Sequence, residues 1–412
     1  MNQSSETLKE QPSSEGNESV KEEQWKDICD YLAKWYYKPD TNALAIALAT
    51  YAAHTILDNK AVWLFVIGPS GTGKTELICS AIESLPDVLT KSDITSQSFI
   101  SGLPSKKGGN SILFRLPKIG KEPNNTQGIL VFKDFSSIVS ERPDTRAKIM
   151  SQMREIWDGY YNPGKGTTTL EWRGKVTIIA AATPALERAW GVQRELGERF
   201  IQVRWAREDG IETAFAAATH LNNPQIVPIF KSKIKKFVDV KSLTKASIHP
   251  PNPKDFAYIA EMAAILRGTV VRDSGGSRTI IDVPQCEAPT RLMLAMVQIA
   301  IGLAMIFKRG EVGEWDTSLA KRIAIDSIPI NRLRVINSVL NDVDTPPAAI
   351  HKQTELSYPT IEWICDELIA LGALKASIDK GGTTYRATDK FAYLREKALK
   401  GENSNVLKFG SK

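Results

Sequence analysis

The chain opens polar and turns apolar at a helical period. Residues 1–22 are rich in Ser, Glu and Gln without apolar rhythm, which predicts a disordered tail. From residue 24, Trp25, Ile28, Tyr31, Leu32 and Trp35 recur at spacings of three and four, the period of an amphipathic helix. A second helix is expected over about 42–57, behind Pro39. The unbroken apolar run 61–67 has strand length and stops at Gly68 and Pro69, and 76–84 reads as a helix. A glycine-rich turn therefore lies between a buried strand and a helix. Residues 91–127 are polar apart from a short apolar stretch at 111–116 and read as loops. Further buried strands are expected at 129–132, 176–182 and 200–205, with a helix over 146–160 and a hairpin arm at 167–172. Strands alternating with helices predict an α/β fold on a parallel sheet, over residues 23–206.

After residue 206 the strand pattern fades. Helices over 254–266, 289–307 and 316–325 predict an all-helical section spanning 207–327. The last unit, 328–395, orders helices at 331–340, 347–353 and 358–371 before strands at 374–378 and 383–387 around Gly381 and Gly382. That order is a winged helix-turn-helix, followed by a tail over 396–412. The run 292–307 is apolar except for Gln298, but falls short of the ~20 residues that span a bilayer. It reads as a buried helix, and no membrane association is expected.

Charge changes the picture modestly. The net charge is +6, and Glu6, Glu10, Glu15, Glu18, Glu22 and Glu23 against Lys9 and Lys21 leave −4 in residues 1–23, so the remainder carries +10. That excess suits a polyanion, and it equally suits a surface with more lysine than glutamate. Cys29, Cys79, Cys286 and Cys365 show no C-x-x-C spacing, and there are four His. No metal cage or disulfide framework is implied, no signal-peptide pattern opens the chain, and a cytoplasmic setting is expected.

The strongest chemical signal is Gly68, Pro69, Ser70, Gly71, Thr72, Gly73, Lys74 and Thr75, which fits G-x-x-x-x-G-K-[ST] at every defined position. The glycines allow backbone N–H groups to turn inward around a phosphate, and the following helix presents its positive end. Lys74 is expected to neutralise the β- and γ-phosphates of ATP, and the Thr75 hydroxyl to ligate Mg²⁺. Asp134 is the only acid at the end of the strand 129–132. It is expected to hold Mg²⁺ through water, its other available role being to cap the next helix.

With these elements in place the sequence resembles an AAA+ ATPase, specifically the minichromosome-maintenance helicase branch. It also resembles shorter ATP-binding proteins of bacteriophages and mobile elements. The resemblance covers about residues 40–395 and implies a P-loop NTPase core with an α-helical lid and a C-terminal winged helix. It implies that the stretch 165–175, following Met153-Arg154-Glu155-Ile156-Trp157-Asp158-Gly159, is a pore hairpin. Thr183 then stands at the sensor 1 position, where the family usually has Asn. Gly197-Glu198-Arg199-Phe200 resembles the arginine-finger segment, which makes Arg199 a donor to the γ-phosphate of a neighbouring subunit in a ring. A surface ion pair with Glu195 or Glu198 is the plainer role for Arg199. Arg291 resembles sensor 2. One departure concerns hydrolysis: where the family places Asp-Glu, this chain has Lys133-Asp134-Phe135. Asp134 takes either the metal-side or the catalytic position, so one carboxylate is missing; Glu155 and Asp158 are candidate substitutes.

Three basic regions are candidates for DNA contact. Lys380 and Arg386, with Lys375 and Lys390, lie in or near the wing, whereas Glu362, Asp366 and Glu367 on the would-be recognition helix repel phosphate. A winged helix that binds protein is the alternative. Lys165, Arg173 and Lys175 flank the hairpin beside Tyr160, Tyr161 and Trp172, the mixture a single-strand channel uses, or simply a packed hairpin with wet lysines. Lys231, Lys233, Lys235, Lys236, Lys241 and Lys245 read as the wet face of an amphipathic helix. The expected function is a DNA-acting, ring-forming ATPase, helicase or initiator; the rival is an ATP-dependent regulator or loader with little hydrolysis. A metabolic P-loop kinase leaves the winged helix and the Arg199 segment unexplained.

Overall fold

The structure is a computed structural model that describes residues 14–58, 60–101, 111–122, 124–163, 171–188, 199–206, 209–220, 223–243, 248–249, 251–273, 279–339, 343–379 and 382–399. Its centre is a parallel sheet of β1 (Trp63–Ile67), β2 (Val88–Lys91), β3 (Asn125–Phe132), β5 (Trp172–Ala182) and β6 (Phe200–Arg204) in the order β2-β3-β5-β1-β6. A short β4 (Tyr160–Tyr161) pairs antiparallel with the start of β5. Every residue of β1 is buried, because helices cover both faces of the sheet. Alternate side chains serve the two layers. Leu64, Val66, Ile179, Ala181 and Val203 pack into one core, and Trp63, Phe65, Ile67, Ile178, Ala180 and Phe200 into the other.

Four strands match the sequence pattern, and the misses have physical reasons. The edge strand β2 is half-buried along its length and too short to show a period. β3 begins at Asn125 rather than 129, because Asn125, Gln127 and Gly128 hide its apolar rhythm. Its Thr126 is nevertheless buried, accepting a hydrogen bond from Trp172 Nε1 at 2.8 Å and donating to the Leu113 carbonyl at 2.7 Å.

The first helix runs Ser14–Trp35, ten residues earlier than the apolar pattern begins, which corrects the expectation of a disordered tail for 14–22. Its early turns are held by charge rather than apolar burial. Lys21 donates to the Phe237 carbonyl at the end of helix Ile226–Phe237, and Glu18 meets Arg309 at 3.0 Å. Residues 1–13 lie outside the described residues, as do 400–412. On helix Ile226–Phe237 the apolar face is buried while Lys233 pairs with Asp27 and Lys231 with Glu83 at 3.6 Å, as an amphipathic surface helix requires. Lys245 lies outside the described residues.

Helices Lys254–Arg267, Thr290–Ile306 and Glu314–Asp326 join the same core as helix Thr41–Ile56. The apolar run 292–307 is a buried helix: Gly302 lies so close to helix Thr41–Ile56 that a Cβ there would meet the Ala49 carbonyl oxygen at 2.4 Å. The C-terminal region comprises helices Ile330–Ser338, Pro347–Thr354 and Tyr358–Ala370, the hairpin β7 (Leu374–Asp379) and β8 (Gly382–Ala387), and helix Asp389–Leu399, which the sequence pattern did not reveal. Among the described residues no helix is long and apolar enough to cross a membrane.

Candidate nucleotide site and an arginine cluster

The parallel register brings Ile67 level with Ala182 and Arg204, so β1, β5 and β6 end together at one edge of the sheet. From there the chain leaves β1 toward β2 and leaves β5 toward β6, in opposite directions, opening a crevice between their carboxyl ends. A cleft of about 400 Å³ occupies that place, within the range of small-molecule sites. Residues 69–76 line it together with Lys133, Asp134 and Thr183.

The glycine-rich loop is shaped by its glycines. Gly71 and Gly73 adopt φ of 78° and 74°, a left-handed backbone that a side chain would strain. Gly68 is needed for closeness, since a Cβ there would stand 2.7 Å from the Trp205 Cβ. Helix Lys74–Glu83 starts immediately afterwards, with its first N–H groups and its dipole aimed at the cleft.

Lys74 is 5% exposed. Burial pushes its pKa below the ordinary lysine value, with Asp134 opposing the shift. Among the described residues no acceptor takes a hydrogen bond from its ammonium. Asp134 is exposed and lines the cleft, and its Oδ1 accepts from the Ser136 N–H at 2.8 Å, while Phe135 holds the N-cap position of the short helix Ser136–Val139. The Thr183 hydroxyl sits 3.2 Å from Ser136 Oγ at the end of β5.

Phe135 is fully buried among Phe65, Phe132 and Phe200, and Lys133 meets Glu83 at 3.1 Å. Glu155 and Asp158 are not on the cleft, which corrects their candidacy as substitute acids: helix Pro143–Trp157 ends at the opposite edge of the sheet, where β4 meets the start of β5. The described carboxylates lining the cleft are Asp134 and Glu76.

Several cleft residues carry no motif. Trp35, Tyr36, Tyr37 and Lys38 form one wall and Trp205, Thr213, Ala216 and Ala217 another. The Tyr36 ring would lie 3.1 Å from a Cβ on Gly73, and its phenol, beside Glu76, is pushed above the ordinary tyrosine range by burial. Residues 35–38 are visible in the sequence only as the end of a helix. A buried ionic network anchors this wall: Arg322 pairs with Asp40 at 2.6 Å and Asp326 at 3.1 Å, while Asp40 caps helix Thr41–Ile56.

Arg199 and Arg291 are not at this cleft. Both lie on the face of Trp157, at 5.2 and 5.4 Å from its ring centre. Helix Thr290–Ile306, which carries Arg291 near its start, packs on Thr41–Ile56 and contributes nothing to the cleft lining. Arg199 precedes β6, whose Phe200 pairs with Trp63 at the start of β1, so it sits at the amino edge of the sheet. The six strand steps to Trp205 span about 20 Å, beyond the reach of an arginine side chain. Lys60 Nζ joins the cluster at 4.5 Å from the same ring and 3.1 Å from Asp158, whose other oxygen is 3.7 Å from Arg199. The ion pair foreseen for Arg199 was with Glu195 or Glu198, which lie outside the described residues; Asp158 is a described acid beside it.

The DNA-contact candidates fare unevenly. Lys165 and Lys380 lie outside the described residues. Arg173 is exposed, stacked 4.9 Å from the Tyr160 ring centre and paired with Glu171 at 2.7 Å. Lys175 turns inward instead: it donates to the His54 and Leu57 carbonyls at 3.0 and 2.5 Å, and burial lowers its pKa to about 8. That corrects its assignment to a DNA surface, because its charge serves the end of helix Thr41–Ile56. Arg386 is partly exposed, 3.8 Å from Asp344. On helix Tyr358–Ala370, Glu362 and Asp366 are exposed, while Glu367 is taken up by Arg332 and Arg272.

No protein-family model matches the chain, and a search of curated proteins finds no match to it.

Proposed function

We propose that the chain is an AAA+-type P-loop protein that binds Mg-ATP in the cleft and completes its catalytic site with a second copy of itself. The observation that carries this reading is Lys74, a buried ammonium with no acceptor among the described residues, at the mouth of a left-handed glycine loop and a helix amino end. A terminal phosphate supplies what that ammonium lacks. Thr75 and Asp134 are the side chains that would hold Mg²⁺, the other ligands being phosphate and water. That division suits magnesium, which is commonly bound by one or two carboxylates plus substrate phosphates. Mg²⁺ would neutralise charge on the β- and γ-phosphates. The hydroxyl of Thr183 would orient water from the end of β5, and the aromatic wall at 35–37 would receive the base.

Arg199 and Arg291 supply the second half. They cannot reach the cleft of their own chain, and in a ring their edge would face the next subunit's triphosphate. Guanidinium donors there stabilise the charge of the phosphoryl-transfer transition state. Residues 330–399 would form the winged unit, and its exposed Glu362 and Asp366 make the wing, with Arg386, the better DNA-facing side. With Arg173 at the hairpin, these are the proposed DNA contacts.

A second reading has its own observation. Asp134 is the strand-end carboxylate, already accepting from the Ser136 N–H, and Phe135 is locked in the core, so among the described residues the strand end offers no second acid. This favours slow hydrolysis and a nucleotide-controlled assembly switch that binds DNA or a partner protein.

Mixing separates these readings from a self-contained site. Arg199→Ala and Lys74→Ala should each be inactive in ATP turnover, Arg199→Ala by about a thousandfold, and activity should return when the two are combined. Full activity in Arg199→Ala alone would exclude the shared site. DNA-stimulated turnover with strand separation would favour the motor, and nucleotide-dependent assembly with negligible turnover the switch.

A further inference from the structure

We propose that the outer face of helix Gly210–His220 and the face of helix Thr290–Ile306 around Leu294 are the two halves of a head-to-tail contact between copies of this chain. The proposal rests on the shared-site reading above, which sets the amino edge of one copy against the cleft of the next.

Helix Gly210–His220 is apolar without being buried. Six of the residues 210–219 are Ile, Phe or Ala, Glu212 is their only charge, and none of them is buried. A turn of about 100° per residue places Thr213, Ala216 and Ala217 on one face, and these line the cleft. Ile211, Ala214, Phe215 and Ala218 fall on the opposite face and are exposed, Ile211 at 69% and Phe215 at 65%. The helix start is fixed locally: Asp209 Oδ1 accepts from the Ile211 and Glu212 N–H groups at 2.8 and 3.2 Å. A helix that is apolar on both faces belongs in an enclosed place. The nucleotide of the proposed reading covers the inner face. The outer face, with one acid at its border and no cation, offers nothing to a phosphate backbone and calls for apolar protein surface.

A second copy supplies that surface. On helix Thr290–Ile306, Leu294 is 54% exposed and stands three residues from the exposed Arg291, on the same side of the helix. Val283, in the segment leading into this helix, is exposed as well. Uncovered apolar side chains thus accompany each half of the shared site, Ile211 and Phe215 beside the cleft and Leu294 beside the arginines. One head-to-tail contact covers both sets and can repeat around a ring, since each copy offers a different face to each neighbour. A foreign protein on helix Gly210–His220 would leave Leu294 uncovered. A neighbour seated on the outer face would also brace the cleft wall at Thr213, Ala216 and Ala217, so nucleotide binding and assembly should strengthen each other.

The test compares wild type, Phe215→Gln, Leu294→Gln and an equimolar mixture of the two variants, as full chains, by sedimentation velocity in Mg²⁺ and ATPγS. Nucleotide affinity at low protein concentration and thermal unfolding are measured alongside. Each variant alone should need at least about tenfold more protein for half-assembly, the size of losing an apolar interface anchor. Phe215→Gln keeps its Leu294 face and Leu294→Gln its Phe215 face, so the mixture should form pairs at the wild-type concentration and stop there. Nucleotide affinity and melting temperature should match wild type in both, since neither side chain is buried or lines the cleft. Wild-type assembly by both variants overturns the proposal. So does a mixture no better than its components, the result if helix Gly210–His220 pairs with its own copy. A lower melting temperature in Phe215→Gln would place the cover within the chain and overturn it too. Wild type that stays monomeric with nucleotide, or full turnover in Arg199→Ala, would sink the shared-site reading first and this proposal with it. Turnover restored by mixing Lys74→Ala with Arg199→Ala would leave that reading standing even where the Phe215 and Leu294 variants fail their expectation.

Discussion

The two edges of one sheet solve the problem of holding charge in opposite ways. At the carboxyl edge the cleft is built from backbone: eight consecutive residues, two left-handed glycines and a helix amino end, with one buried lysine. At the amino edge the cluster is built from side chains drawn from four distant parts of the chain, Lys60, Trp157, Arg199 and Arg291, gathered on a single indole. The first is written by one contiguous stretch of chain. The second lies about 20 Å from that cleft along β6. Local sequence can write a backbone cradle, but only the fold can assemble a side-chain cluster.

Substitutions that touch one edge and spare the other sharpen this contrast. The largest stability effect is expected at the carboxyl edge, from Arg322. Its buried pairs with Asp40 and Asp326 fasten the cleft wall at 35–40 to helix Glu314–Asp326. Replacing it with Met takes the guanidinium from two carboxylates, one of them, Asp326, already pushed up by burial and left with the Arg204 N–H, and should cost about 3 kcal/mol in urea unfolding. Arg322→Met should still rescue Lys74→Ala poorly as a cleft donor but serve normally as an arginine donor to a partner with an intact cleft. Equal loss of both roles would show that the edges are not separable.

A smaller effect is expected beneath the amino edge, where His54 Nδ1 lies 3.0 Å from Thr177 Oγ1. Burial, reinforced by Lys175, lowers the His54 pKa to about 3. The unfolded chain therefore takes up the proton first as pH falls below about 6.5, and stability declines from there toward pH 3 while being fully present above it. Between pH 7 and 5 this amounts to about 2 kcal/mol. Urea titrations of wild type and His54→Gln at both pH values should differ in slope by that amount; parallel pH dependences would remove His54 from the account.

The same contrast explains what could be read in advance. The strand–loop–helix around Gly68–Thr75 was legible because it is contiguous and its chemistry constrains residue type at fixed spacing. The parallel sheet was legible from β1, β3, β5 and β6, whose apolar runs are long enough to show. The edge strand β2, the charge-held start of the first helix and helix Asp389–Leu399 were not, since short or ion-paired elements carry little apolar period. Arg199 and Arg291 could be singled out only by resemblance; that they share Trp157, and that Lys175 turns inward to a helix end, depends on topology.

The claim beneath all of this is that Lys74 and the loop preceding it grip the terminal phosphates of a nucleotide. Calorimetric titration of wild type and Lys74→Ala with Mg-ATP measures it directly. The account predicts one site per chain in wild type and affinity weaker by about a hundredfold in Lys74→Ala, the loss of one buried charge-assisted contact. Undiminished affinity in Lys74→Ala, or no binding by the wild type, would contradict it.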